Sequence, residues 1–398
     1  MAKDKLVTPS YCAILTANFL LFFAFYLILP ILPFYLTEVF NTDNATVGLV
    51  LSSYTLAALC IRPFSGYLLD AFSRKPLYLI SYFLFTSIFV GYVLAGLLSL
   101  FIMLRVVHGL AFGMVTVAGN TIVIDITPSS RRGEAIGFYG LMNNLAMSFG
   151  PMAGLLLHSH FDFNTIFLSS LASGTLGFIM ACSVKTPKKE TTPKEPLSLD
   201  RFFLVKGVPA GISLLLLSVP YGMMTTYVAV YATNIEIGAS PGLFFTMLAV
   251  GLGSTRIFSG KAVDKGHTTQ LIKGALITAS ISFFSLSLCE PLMGYNQQAA
   301  TLLFFATAIL LGVSFGVLFP AFNSLFVCLA PNNKRGTATS TYLTSWDLGL
   351  GIGMLSGGYI AQEASLGVAY FAGACLTVIS AILFYTVVSP HYHKNKIK

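Results

Sequence analysis

Twelve apolar stretches of about 20 residues follow one another along the chain, and this run of hydrophobicity constrains the fold more than any motif does. A bilayer core of about 30 Å is crossed by about 20 apolar residues in an α-helix. Read against their charged and turn-rich breaks, the spans lie at about 11–36, 46–69, 76–96, 99–124, 134–157, 164–184, 206–232, 242–262, 270–289, 300–328, 337–361 and 366–388. They account for nearly all 398 residues, so the reading leaves no separate soluble domain. Only 10% of residues are charged, against roughly a quarter in soluble domains. The first apolar run is longer than a secretory h-region and lacks a small-residue cleavage site, so it is read as a first helix.

The placement of the 23 Lys and Arg residues sets the orientation. Three (Arg62, Arg105, Arg256) fall within spans; the others lie at the termini, in the even-numbered loops or at the edges of those loops. The odd-numbered loops carry Glu38, Asp43, Asp162, Glu236, Glu290 and Glu363 instead. Because basic residues accumulate in cytoplasmic loops, both termini are expected in the cytoplasm of a bacterial inner-membrane protein. The net charge of +8 reflects this bias, and no nucleic-acid partner is expected of basic residues spread over short segments. The six cysteines lie in or beside spans without C-x-x-C spacing, and neither a metal site nor a disulfide frame is implied.

The longest polar interval, rich in Lys, Pro and Glu, separates six spans from six. The expected organisation is an N-terminal six-helix bundle over 1–184, a cytoplasmic linker over 185–205 and a C-terminal bundle over 206–398. An internal repeat supports it. Arg62-Pro-Phe-Ser-Gly66-Tyr-Leu-Leu-Asp70 matches Arg256-Ile-Phe-Ser-Gly260-Lys-Ala-Val-Asp264 at an offset of 194. Farther along, an offset of 203 pairs Gly109 with Gly312, Gly113 with Gly316, Asn120 with Asn323, Gly150 with Gly353 and Gly154 with Gly357. Each copy spans six times, so both share one orientation. The fold class is therefore all-α membrane, with two bundles expected about a pseudo-twofold axis along the membrane normal.

Over nearly its whole length the chain resembles the major facilitator superfamily. Gly66-Tyr-Leu-Leu-Asp70-Ala-Phe-Ser-Arg74-Lys75 is similar to that family's G-x-x-x-D-x-x-G-R-K loop, with Ser73 replacing the second glycine. Arg105-Val-Val-His108-Gly109 resembles the R-x-x-x-G element of proton-coupled members. Gly137 through Gly150-Pro151-Met-Ala-Gly154 looks like the antiporter motif of span five, and Pro30-Ile-Leu-Pro33 like the P-x-x-P of twelve-span drug:proton antiporters. The resemblance implies a cytoplasmic gate built from Gly66, Asp70, Arg74, Lys75, Arg131, Arg132, Gly260, Asp264 and Arg335. The plainer alternative is that these charges only set topology. The second copy carries Thr268 and Thr269 where Arg74 and Lys75 stand in the first, which leaves Lys265 or His267 to support it.

Charges inside spans are costly, roughly 2.5–3.5 kcal/mol each on insertion scales, and mark sites of function or pairing. Asp347 is the one acid near mid-membrane, while Arg105 lies in the outer part of span four with His108 three residues on. These three are the expected proton-coupling residues, with Arg105 supporting rather than carrying the proton because guanidinium stays charged. Alternatively Arg105 bonds neighbouring carbonyls and Asp347 binds substrate. No acid occurs between Asp4 and Glu38, where many drug antiporters carry one. Tyr26, Tyr54, Asn143, Asn144, Tyr221, Thr225, Asn323 and Trp346 are the candidate cavity lining, although helix–helix hydrogen bonding explains any one of them as well. No catalytic, nucleotide-binding or metal-binding spacing is present, so neither an enzyme nor a cofactor is expected. The expected function is alternating-access, proton-coupled efflux of small organic molecules by a monomer in lipid; the alternative is an uptake permease for sugars or organic acids.

Overall fold

The computed structural model describes residues 6–128, 131–187, 203–264, 266–330 and 335–396. They form α1 (Pro9–Ile28), α2 (Leu32–Phe40), α3 (Asn44–Ala71), α4 (Arg74–Leu94), α5 (Leu98–Ile126), α6 (Arg132–His158) and α7 (Phe163–Ser183). After the linker come α8 (Val208–Asn234), α9 (Gly242–Asp264), α10 (Thr268–Met293), α11 (Gln297–Cys328), α12 (Arg335–Glu363), α13 (Leu366–Leu383) and α14 (Ser389–Asn395). No strand occurs among the described residues. The fold is the all-α membrane fold that the hydropathy predicts.

Two spans differ from a single straight helix. The first is interrupted at Leu29–Ile31, where Pro30 has no N–H to continue the ladder, and resumes as α2. The last runs from α13 through a π-helical segment, Phe384–Val388, into α14. Several helices start on a side-chain cap that satisfies an otherwise orphaned N–H. Thr8 accepts from Tyr11 N at 3.2 Å, Asp162 from Thr165 N at 3.1 Å, and Asn296 from Ala299 N at 3.0 Å.

By length and composition, nine of the described segments are apolar enough to cross a membrane. Outside that set, α9 contributes a shorter apolar stretch, Gly242–Thr255, and the long helices of lower hydropathy are α6 and α12. Their sequences are rich in Gly, Ser, Thr and Asn, and α12 carries Asp347.

The contacts divide the chain into two compact units, one of residues 1–35 and 53–196, the other of 36–52 and 197–398. In the first unit α1 packs on α6 and α7, and α4 packs on α5 and α7. In the second, α8 packs on α12 and α13, and α10 packs on α11 and α13. The pairing is the same in both. The glycines of the repeat explain why. At Gly109 a Cβ would overlap the Tyr54 carbonyl oxygen, and at Gly312 the Leu248 carbonyl oxygen; Tyr54 and Leu248 are themselves 194 apart. Four residues on, Gly113 meets Ala58 and Ile61 while Gly316 meets Leu252 and Thr255, again at an offset of 194. In each unit a glycine pair spaced by four lets two helix backbones touch, in the manner of G-x-x-x-G contacts. The repeat seen in sequence is thus a repeat of interhelical contacts.

Candidate functional site

Each unit holds one cluster of aromatic side chains around the residues that hydropathy makes expensive. In the first, Arg105 and His108 project from one face of α5 and are both fully buried. The Arg105 guanidinium lies 4.4 Å from the centroid of the Tyr54 ring, within cation–π range. Its Nη1 donates to the Tyr92 hydroxyl at 3.5 Å, and Tyr92 Oη is 2.8 Å from His108 Nδ1. Phe85 and Phe89 pack on the imidazole at centroid distances of 4.4 and 5.0 Å. Tyr26 stands one ring away, edge-on to Phe25, which stacks on Tyr54 at 5.1 Å.

In the second unit Tyr221 of α8 packs against Phe315 and Phe319 of α11 and Trp346 of α12, at 4.4, 5.8 and 5.0 Å. Trp346 is buried in this box, edge-on to Phe319, and the partly buried Asp347 follows it on α12. Thr225 donates to the Tyr221 carbonyl of its own helix at 3.0 Å, a back-bond that occupies its hydrogen. The side-chain oxygens of Asn143 and Asn323 are buried and accept no hydrogen bond among the described residues. Asn144 lies outside the residues whose surroundings are described, as do Gly66, Asp70, Arg132, Gly260, Asp264 and Arg335.

Of the expected gate, Arg74, Lys75 and Arg131 are described; Arg131 stands at the start of α6, where its N–H donates to the Pro128 carbonyl at 3.0 Å. Arg74 forms an ion pair with Asp125 near the end of α5, and its Nε donates to the Leu69 carbonyl at 3.4 Å. Lys75 donates to the Cys182 carbonyl at 3.0 Å, at the end of α7. Asp125 is absent from the sequence-based gate because it falls one residue beyond the fourth span; its signal was an acid at the edge of an even-numbered loop that carries two bases. In the second copy His267 bonds Gln270 of its own helix at 2.7 Å, while Thr269 bonds His393 of α14 at 3.3 Å. Lys265 lies outside the described residues.

The antiporter-like motif on α6 divides in two. Gly150, Pro151 and Gly154 are buried, with Gly154 against the Leu27 carbonyl oxygen and Gly150 against Tyr26. Gly137 is exposed, and a Cβ there would meet nothing within 4 Å. Tyr92, Phe315 and Phe319 are site residues that sequence reasoning missed. Tyr92 carries no local signal, being 16 residues from His108 on a different helix. Phe315 and Phe319 do carry one, an aromatic pair at i,i+4 spacing whose first member repeats Phe112.

A separate cavity of about 170 Å³ in the second unit is lined by Asn44, Tyr231, Asn234, Glu290, Ser365 and neighbouring apolar residues. Its α12 wall begins at Ala361, 14 residues from Asp347 and so about 20 Å farther along the helix. There Glu290 accepts from Ser365 Oγ at 2.9 Å and Gly367 N at 3.2 Å, a carboxylate closing the N-terminus of α13.

The sequence profile of the Major Facilitator Superfamily matches residues 14–299 and 292–398. The staphylopine export protein of Staphylococcus aureus is 21% identical over 359 residues, 87% of this chain and 88% of its own. The quinolone resistance protein NorA of the same species is 27% identical over 228 residues, 56% of this chain and 58% of its own. Among solved structures, a D-xylose–proton symporter superimposes with a TM-score of 0.76 at 18% identity, over 98% of this chain and 99% of its own.

Proposed function

Because the chain belongs to the Major Facilitator Superfamily, we propose that it is a secondary transporter exporting small organic molecules in exchange for protons. It is a multi-pass membrane protein, and the basic-residue bias supports a bacterial inner membrane with both termini in the cytoplasm. Export is favoured by two relatives whose names state it or resistance, the staphylopine export protein and NorA. The likeness to the D-xylose–proton symporter, at 18% identity, carries the fold alone.

The observation that carries the reading is Asp347, an ionisable side chain inside a membrane helix next to the Tyr221–Phe315–Phe319–Trp346 box. A carboxylate in such surroundings binds and releases a proton in response to its partners, while flat rings beside it offer a surface for an apolar cargo. Arg105 and His108 are assigned to the same transport cycle, and the Gly66–Lys75 segment with Arg131, Arg132, Gly260, Asp264 and Arg335 to the cytoplasmic gate. Within the second unit Asn323 adds a polar atom for cargo, and within the first Asn143 and Tyr26 do. The transporter needs no cofactor in this scheme and works as a monomer.

Inside-out vesicles test it. Acidifying the lumen should drive uptake of a dye or drug identified by a toxicity screen of cells with and without the protein. Asp347→Asn should lose gradient-driven uptake while retaining exchange of cargo for cargo. Full gradient-driven uptake by Asp347→Asn would sink the coupling assignment.

A further inference from the structure

The fold contains an internal control for Arg105 and His108. At the repeat offset of 203 their counterparts are Ala308 and Leu311, both apolar and both fully buried. The helix packing is therefore satisfied by apolar side chains at these positions in one copy, and nothing in the packing calls for a guanidinium and an imidazole in the other.

The hydrogen bonds around the pair leave donors only. Arginine has no acceptor, so Tyr92 Oη accepts from Arg105 Nη1, and because His108 Nδ1 is the one acceptor its hydrogen meets among the described residues, that hydrogen is assigned to Nδ1. The neutral imidazole then carries its hydrogen on Nε2. That Nε2, like Arg105 Nε and Nη2, is buried and has no partner among the described residues. A buried guanidinium with unfilled donors is among the costliest groups in a membrane fold, and the Tyr54 ring offsets only part of that cost. The missing species is an acceptor with negative charge, and a planar fork of N–H donors matches a carboxylate best.

We propose that Arg105 and His108 form the carboxylate receptor of the transported molecule, and that the cargo is an organic monoanion with an apolar, aromatic-compatible body. This rests on the reading of the chain as a transporter of small organic molecules and narrows its substrate class. Arg105 Nε and Nη2 hold the two carboxylate oxygens, His108 Nε2–H adds a third donor, and Tyr92 fixes the imidazole tautomer. Tyr54 covers the guanidinium in this structure and swings aside for the ligand. Phe85 and Phe89 supply the surface against which the apolar body packs.

The test is equilibrium binding to the purified full chain in lipid nanodiscs, with three acid–amide pairs as probes: benzoate and benzamide, 1-naphthoate and 1-naphthamide, 4-phenylbutyrate and its amide. Potassium chloride is a separate arm. At least one acid should bind at least ten-fold tighter than its amide, and Arg105→Gln should abolish that preference while leaving the thermal midpoint and elution profile intact. Should Arg105→Gln fail to fold, Arg105→Lys serves: it keeps the charge, loses the fork, and should reduce the preference several-fold. His108→Gln retains an N–H donor and should reduce it less than His108→Leu does. Equal affinity for every acid and amide, no binding by any of them, a preference that survives in Arg105→Gln, or binding of chloride alone would each overturn the proposal. No arm uses a proton gradient. Its failure therefore leaves the export reading standing, and failure of gradient-driven uptake leaves this one standing.

Discussion

At Gly154 the distance between α6 and α1 is set by the absence of a side chain, because a Cβ would overlap the Leu27 carbonyl oxygen. A backbone carbonyl cannot rotate out of the way as a side chain can. Gly154→Val should therefore destabilise the protein by about 1–3 kcal/mol, read as a lowered thermal midpoint or a loss of monodisperse protein in detergent. Gly137, in the same motif, has open space around its Cβ position. Gly137→Ala should be neutral or stabilise by up to about 1 kcal/mol, since alanine is the better helix former. Residues of one motif are thus separable by their neighbours. The side chains of Asp43 and Asp162 accept from Thr46 and Thr165 at the starts of α3 and α7, and these bonds hold both carboxyls below the usual carboxylate range. A depressed folded-state pKa contributes stability above the unfolded value near 3.9, lost as pH falls through the folded one. The gap in thermal midpoint between the parent protein and Asp162→Ala should accordingly be full at pH 7 and shrink as pH drops below 4.

Between elements, the ion pair of Arg74 with Asp125 ties the start of α4 to the end of α5. Both side chains are about a fifth exposed, so solvent screens the pair and its coupling should be about 1 kcal/mol or less. A double-mutant cycle of Arg74→Ala and Asp125→Ala measures it, with thermal midpoints as readout. In the second unit, Glu290 joins α10 to α13 through Ser365 and the Gly367 amide. Its backbone N–H is held in turn by Tyr231, whose hydroxyl donates to the Leu286 carbonyl at 3.1 Å. Because the bonds are to a charged acceptor, Glu290→Ala should cost about 1.5–3 kcal/mol, and Glu290→Gln less. A larger loss from Glu290→Gln than from Glu290→Ala would contradict this account.

For the whole molecule, the proposed orientation, with the termini and the even-numbered loops in the cytoplasm, is tested by labelling. In a background with the native cysteines replaced by serine, a cysteine at Asp162 should react with an impermeant maleimide added to intact cells. A cysteine at Lys75 should react only after the membrane is opened. The reverse pattern would invert the orientation. The units are alike in their helix pairing yet differ in the chemistry they enclose. One buries a guanidinium and an imidazole among rings, and the other places a carboxylate beside a box of rings. Duplication conserves glycines at helix contacts, where backbone approach is the constraint, and leaves the remaining buried positions free to diverge.

Hydropathy, the basic-residue bias and the two offsets determined by themselves that the chain is a duplicated helical membrane protein, because burial in lipid demands apolar length and repeated contacts demand repeated glycines. Arg105, His108 and Asp347 were also legible, since a charge in a span is expensive wherever its helix packs. Their surroundings were not. That Tyr92 orients His108, that Asp125 holds Arg74, and that Trp346 is boxed by Tyr221, Phe315 and Phe319 depends on which faces of separate helices meet. Hydropathy averages over a helix and carries no rotation about its axis, so residues far apart in sequence find their partners only when the helices pack.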